Sequence, residues 1–279
     1  MSFAIVVVDS EATLLSLLDN LTGLAVDPPS LYLDLEGVKL GRHGSISIIS
    51  LYVAPIKKIY LIDIHDLGKI AFTTTNSSAI SLKTILESPT IPKVVFDIRN
   101  DSDALYSLFQ ISVDGILDLQ LMELATRKGS KDFVSGLAKC IEKENHISAA
   151  AKVDWQRRKE SASRLYEPRK GGRYEVFEER PMKPEIVKYC AWTVALLPGL
   201  YKVYNGKLCG PEEAFWQAQV REATRDRINL SQSPGYDGEA ESKVRGPWNK
   251  QDIERAIEAW NDDVMFDTLI GDVIGYAEE

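Results

Sequence analysis

The sequence predicts an α/β protein, a mixed sheet flanked by helices and followed by a C-terminal helical extension. Three observations predict it. Apolar runs of strand length crowd the first 64 residues, and their closeness in sequence favours an antiparallel meander. Short apolar runs then alternate with helix-period segments, which argues for a sheet covered by helices. Beyond Pro211 the apolar spacing is mainly helical. The chain has 279 residues, enough for one large domain with an appendage or for two modest ones. We divide it at residues 1–210 and 211–279.

The elements follow in order. Residues 4–8 read as a strand. Residues 12–21 read as a helix with Leu14, Leu15, Leu17, Leu18 and Leu21 along one face, and Pro28-Pro29 break the chain after it. Strands are expected over 31–37, 45–51 and 58–64. A helix near 80–86 ends at Pro89. Residues 93–97 form a buried strand that leads into a helix starting near Asp101. Gly115-Ile116-Leu117 closes at Asp118, and 119–127 looks helical. Residues 128–180 are polar, basic and glycine-containing, with Lys170-Gly171-Gly172-Arg173 as a clear loop and no helix read among them. Pro184 opens a helix to about Leu197, since proline suits a first helical turn. Pro211 opens another to about Ile228, 231–247 is turn-rich, and 252–276 carries Ile253, Ile257, Trp260 and Val264 at helical spacing among many acids.

Composition narrows the function. At 44% apolar and 27% charged residues the chain is an ordinary globular protein. It has no apolar stretch of 18 residues, so no membrane partner is expected. The N-terminus lacks a basic leader and reads as a strand rather than a signal peptide. Cys140, Cys190 and Cys209 are too few for a disulfide framework and wrongly spaced for zinc, which favours an intracellular site, cytoplasmic or nuclear. His43, His65 and His146 are isolated from further ligands, although Arg42-His43-Gly44 could be a loop near a substrate entrance. No phosphate-binding glycine loop, Gly-x-Ser-x-Gly elbow or Cys/His nucleophile pair occurs.

A net charge of −8 argues against indiscriminate nucleic-acid binding. Yet residues 152–173 hold eight basic and three acidic residues. Arg157, Arg158, Arg169, Lys170 and Arg173, with Trp155, Tyr166 and Tyr174 nearby, could combine phosphate contacts with base stacking. A solvated loop is the alternative. For the acidic C-terminal helix, packing against the domain stands beside binding a protein partner.

Asp34 and Glu36 are the most informative residues. They sit in Leu31-Tyr32-Leu33-Asp34-Leu35-Glu36-Gly37, two acids in an apolar strand, where an unpaired carboxylate is costly. Residues i and i+2 of a strand share a face, so the two project side by side. Such a pair shares a proton or binds a cation; a strand end with two solvated acids is the bland alternative. Asp101 lies just after a buried strand, where it could equally cap a helix. Asp97 is its rival for a ligand role, Asp103 is expected to be solvated, and Asp118, seventeen residues on, to be structural. Tyr189 lies on the late helix.

These residues, taken in order, resemble the DEDD superfamily of 3′–5′ exonucleases, in the branch with a tyrosine in its third motif. RNase D and Egalitarian-like domains are relatives, and fungal exonuclease-domain proteins look closest. The resemblance covers roughly residues 30–205. Asp34-Leu35-Glu36 matches the first motif. Asp101 matches the second, supported by Asp118. Arg180-Pro181 followed by Tyr189 matches the approach to the third. It implies an RNase H-like fold, hydrolysis of single-stranded RNA or DNA from its 3′ end, and two Mg²⁺ or Mn²⁺ ions held by hard carboxylate oxygens. It further implies that Asp34 bridges both ions, Glu36 binds one, Asp101 holds the other partly through water, and Tyr189 orients the attacking water.

The chain departs from the pattern at one place. The third motif ends in Asp, and Thr193 stands there. Three carboxylates instead of four should weaken one ion site. Disturbing even the residues that orient a metal's ligands costs roughly 10–100-fold, and losing a ligand should cost at least as much. The expectation is a weakened nuclease that retains the fold; a non-catalytic nucleic-acid-binding or scaffold module is the alternative.

Overall fold

The computed structural model describes residues 3–144 and 147–275, with 263–275 as backbone only. His146 and Tyr276, and the side chain of Val264, lie outside the described residues. Six strands form one sheet: β1 (Ala4–Val8), β2 (Leu31–Glu36), β3 (Ile48–Val53), β4 (Lys58–Asp63), β5 (Lys93–Val95) and β6 (Ile116–Asp118), in the order β1-β4-β3-β2-β5-β6. β2, β3 and β4 are the expected antiparallel meander, with Asp34 opposite Ser50. β1 joins β4 in parallel, and β5 and β6 extend the sheet in parallel beyond β2. The predicted third strand begins three residues late, at Ile48. Ser45 and Ser47 instead serve the approach to it: Ser45 Oγ donates to Glu178, and Ser47 N–H bonds Glu36 O.

Helices cover both faces. One face carries α1 (Glu11–Asn20), α2 (Ile64–Leu67), α3 (Ile70–Thr73), α4 (Leu82–Glu87) and α5 (Arg99–Phe109); Leu31, Leu33 and Leu35 point into it. The other carries α6 (Leu119–Thr126), α7 (Leu137–Lys143), α8 (Ala149–Tyr166) and α9 (Pro184–Leu208), and Tyr32 points there. Strand alternation therefore places Asp34 and Glu36 on the α9 side. α10 (Ala214–Gln232) packs against α5, α6 and β6, and α11 (Lys250–Gly275) follows it. Trp260 of α11 stacks edge-on against Phe215 of α10, at 6.0 Å between ring centroids.

Local chemistry explains the starts of these helices. Ser10 and Thr13 form a reciprocal capping box on α1, and Ser81 and Thr84 repeat it on α4. Such a cap contributes about 1 kcal/mol.

Three expectations are corrected. Residues 128–180 contain two helices not read from the sequence, α7 and α8, because α8 buries Trp155 and Ala162 against the α9 layer, while Gly171-Gly172 remain the expected loop. A weakly amphipathic basic helix hides its few anchors among charges, which masks its period. α9 does not stop near Leu197 but runs through Pro198 to Leu208. Leu196, Leu197, Leu200 and Tyr204 are fully buried on it, and that packing outweighs the ~3 kcal/mol cost of an internal proline. Asp103 is buried rather than solvated, because Arg42 reaches it.

Candidate functional site

The end of β2, the start of α5 and the first half of α9 meet at one end of the sheet. Asp34 and Glu36 are half-buried there, and Asp101 is 8% exposed in the first turn of α5. Among the described residues none of the three carboxylates forms an ion pair with Lys or Arg. Burial pushes Asp34 up to about 7. Glu36 is raised well above the usual range by burial and then by the negative charge of Asp34, with the Tyr189 hydroxyl working against both as a hydrogen-bond donor. Asp101 is raised by burial, then by Asp34, Asp97 and Glu36, and Lys243 partly offsets this. The three acids therefore feel one another and lack a matching cation.

Neighbouring acids are spoken for. Asp118 is fully buried and accepts from Asp97 N–H at 3.0 Å, Ile98 N–H at 3.3 Å, Gln120 N–H at 3.0 Å and Arg227 Nη1 at 2.7 Å. This saturated carboxylate holds the β5–α5 turn and is structural. Asp97 takes a left-handed backbone (φ 63°) and receives a two-pronged contact from Arg99 at 2.6 Å in each prong. Burial alone would raise its carboxyl, but Arg99, Arg227 and Lys243 hold it below the usual value. Asp97 is thus engaged by Arg99 and Arg227, whereas Asp101 has no ion-pair partner among the described residues.

On α9, Tyr189 is half-buried, with its hydroxyl 3.5 Å from that of Tyr166 and the two rings 5.3 Å apart. Burial and then Glu36 push its phenol well above the ordinary value, so it stays protonated and a donor. Thr193 lies one turn on, 4% exposed, and its hydroxyl donates to Tyr189 O at 3.0 Å. Its only proton is spent on its own helix. Between them Cys190 is fully buried, and its thiol is pushed up by burial and by Glu36 and Asp34, which keeps it an unreactive thiol.

A cleft of about 580 Å³ opens beside Glu36. Its walls include Arg42 and His43, the aromatic rings of Tyr166, Tyr174 and Phe177, and Tyr236. Arg42 ties three segments together. Its N–H and Nε bond Asp103, each at 2.8 Å; Nη1 bonds Pro234 O at 2.9 Å; Nη2 bonds Ser231 O at 2.9 Å and Ser233 O at 2.8 Å. Asn100, next to Asp101, accepts from Tyr236 Oη at 2.8 Å and Lys243 Nζ at 2.5 Å. Residues 236–239, within the 231–247 stretch read from the sequence only as turn-rich, thus form a wall of the cleft. The lone aromatic Tyr236 amid glycine, serine and proline was the one available signal for this.

The basic stripe is less free than its sequence suggests. Arg157 and Arg158 both pair with Asp154, at 2.6 and 2.7 Å, and Arg158 also stacks on Trp192. Lys170 pairs with Glu160 and Glu167, and Arg173 with Glu179 at 2.6 Å. Arg169 is exposed. Trp155 is 4% exposed and closed to stacking, whereas Tyr166 and Tyr174 do face the cleft.

Comparison with known proteins fits this architecture. Residues 5–202 match the model of the 3′–5′ exonuclease family, and the chain belongs to that family, within the DEDD superfamily. The chain is 26% identical over 233 residues to the mouse (Mus musculus) piRNA biogenesis protein EXD1, covering 81% of this chain and 38% of that protein. It thus spans well under half of that curated relative. RNase D of Trypanosoma brucei, solved in complex with RNA U12, superposes with a TM-score of 0.68 at 19% identity, covering 91% of this chain and 79% of that one. Escherichia coli RNase D gives 0.55 at 17%, covering 84% and 51%. Brucella melitensis NrnC, solved with bound Mg²⁺, gives 0.56 at 16%, covering 86% and 100%. These structural likenesses establish the fold: a mixed sheet of the RNase D and RNase H-like type.

Proposed function

We propose that this exonuclease-fold protein binds the 3′ end of single-stranded RNA or DNA at the Asp34–Glu36–Asp101 site, with hydrolysis weakened by Thr193. The observation that carries the reading is three mutually repelling carboxylates without a cationic partner among the described residues, beside an open aromatic-walled cleft.

The donor set suits Mg²⁺ or Mn²⁺, which favour hard carboxylate oxygens. Asp34, Glu36 and Asp101 would hold the ions, which in this family supply Lewis-acid activation of water and stabilise the leaving oxygen. Among the described residues no three acidic, His or Cys side chains already close into a cation cage. The position of a fourth carboxylate is held by the neutral Thr193. The tyrosine branch of the superfamily is our assignment, from Tyr189 on α9, whose hydroxyl favours the ionised form of Glu36. In that position it would orient a water for attack. Tyr166 and Tyr174 would stack the terminal bases, and Arg169, with Arg157, Arg158, Lys170 and Arg173 once released from their carboxylates, would follow the phosphates. The division at residue 210 separates the part that carries the acids from the part that completes the cleft wall.

A second reading, a binding or scaffold module without turnover, is favoured by Thr193 spending its proton on Tyr189 O. Its acidic C-terminal helix would then be the natural contact for a protein partner. Binding of 5′-labelled single strands tests the shared claim. The wild-type chain in Mn²⁺ should prefer a 3′-hydroxyl end to a 3′-phosphate end, and Asp34→Asn should lose that preference. Equal affinity for both ends, or no binding of either strand, would sink the proposal.

A further inference from the structure

The two edges of the sheet are treated differently. β6 is covered by α10, whose Arg227 reaches Asp118 at the end of that strand. β1, at the opposite edge, pairs among the described residues only with β4. Its sequence Ala4-Ile5-Val6-Val7-Val8 holds no charged residue, proline or glycine, so neither a charge nor a proline guards it against edge pairing. Ile5 and Val7 are 38% and 37% exposed.

The register shows which backbone groups remain open. Ala4 N–H donates to Lys57 O at 3.2 Å, and Ala4 faces Lys58 in the parallel ladder. Residues 4, 6 and 8 therefore turn their N–H and C=O toward β4, and Ile5 and Val7 turn theirs outward. The same two residues expose their side chains.

This pattern is self-complementary. In an antiparallel pair with a two-fold axis at Val6, Ile5 lies opposite Val7 of a second copy and Val7 opposite its Ile5. Both are the hydrogen-bonded type of pair, so the open N–H and C=O groups find partners, with about four bonds in all. Val6 meets Val6 as the close, non-hydrogen-bonded type. β-branched residues facing one another are favourable cross-strand neighbours. No charged residue lies between Phe3 and Val8, so no like charges are opposed.

We propose that β1 is a homodimer edge, at which two copies pair about Val6 and join their six-stranded sheets into one. The surface is independent of the nucleic-acid reading, because the acids lie at the end of β2, two strands beyond β4. A five-residue strand buries less than a standard interface, so the association belongs to the weak class, with a midpoint on the order of micromolar.

Sedimentation of the full chain from about 1 to 200 µM tests this. The expected result is a monomer–dimer transition that Val7→Lys abolishes and that Val153→Lys, at an exposed apolar position on α8, leaves intact. Unchanged thermal melting of Val7→Lys would show that it folds. A second measurement places the axis. In a Cys209→Ser background, Val6→Cys should form an intermolecular disulfide under mild oxidation and Ile5→Cys should not, because only residue 6 faces itself at disulfide distance. A monomer throughout the range, a dimer that survives Val7→Lys, or equal cross-linking at 5 and 6 would overturn the proposal. Retention of an unrelated extended peptide by a monomeric chain would overturn it in favour of a hetero-partner strand.

Discussion

Replacing Asp34 with Asn should stabilise the metal-free protein at alkaline pH. Moving a carboxyl from its ordinary 3.8 to about 7 corresponds to ~4 kcal/mol at about 1.36 kcal/mol per pH unit. Asp34 is half-buried rather than sealed off, so water screens part of this, and ~2 kcal/mol is the expected effect. The folded state holds the proton more tightly than the unfolded chain. Stability is therefore full below pH 3.8 and is lost as pH rises through about 7. Asn, of the same size and uncharged, removes that loss. Urea unfolding in EDTA should show Asp34→Asn more stable than wild type by ~2 kcal/mol at pH 8 and indistinguishable at pH 4. Excess Mn²⁺ should reverse the order at pH 8, since a ligand at 100 times its Kd adds about 2.7 kcal/mol to the form that binds it. A variant that is less stable than wild type in EDTA at pH 8 would refute the view of these acids as an uncompensated cluster.

Other outcomes follow from the same geometry. Arg42→Ala should cost roughly 3–5 kcal/mol in chemical denaturation, because it strands the buried Asp103 carboxylate; a loss below about 1 kcal/mol would show that the clamp is dispensable. Asp118→Asn should destabilise by ~3 kcal/mol, because the buried Arg227 loses its 2.7 Å carboxylate and keeps only the longer 3.6 Å contact with Asp97, with Mn²⁺ binding retained. A loss of Mn²⁺ binding in folded protein would make Asp118 a ligand instead. Arg169→Glu should weaken single-strand binding and flatten the slope of log K against log salt by about 0.7 or more; an unchanged slope would remove this residue from the phosphate path.

Much of the architecture was legible because it rests on strong local signals. The β2–β4 meander follows from close apolar runs, and the shared face of Asp34 and Glu36 from strand alternation. Both survive in the structure. What stayed hidden depends on distant partners. Asp103 looks like a surface acid until Arg42, 61 positions away in sequence, bonds it. Asp97 and Asp101 are equivalent in the sequence until Arg99 and Arg227 claim the first. α8 escaped because its charges dilute the apolar period. The cleft wall from 236–239 escaped because loops are placed by side-chain anchors such as Asn100–Tyr236 rather than by periodicity. The same charges that suggested an open basic stripe are largely paired within it, and pairing leaves no trace in composition.

The role of Thr193 is the centre of the account, and a degradation assay reaches it most directly. The wild-type chain and Thr193→Asp would be incubated with 5′-labelled single-stranded RNA and DNA in Mn²⁺ or Mg²⁺. The account predicts a ladder shortened from the 3′ end for Thr193→Asp, and at least 10–100-fold slower shortening, or none, for wild type. Equal rates for the two chains would contradict it, and so would a folded Thr193→Asp chain with no ladder.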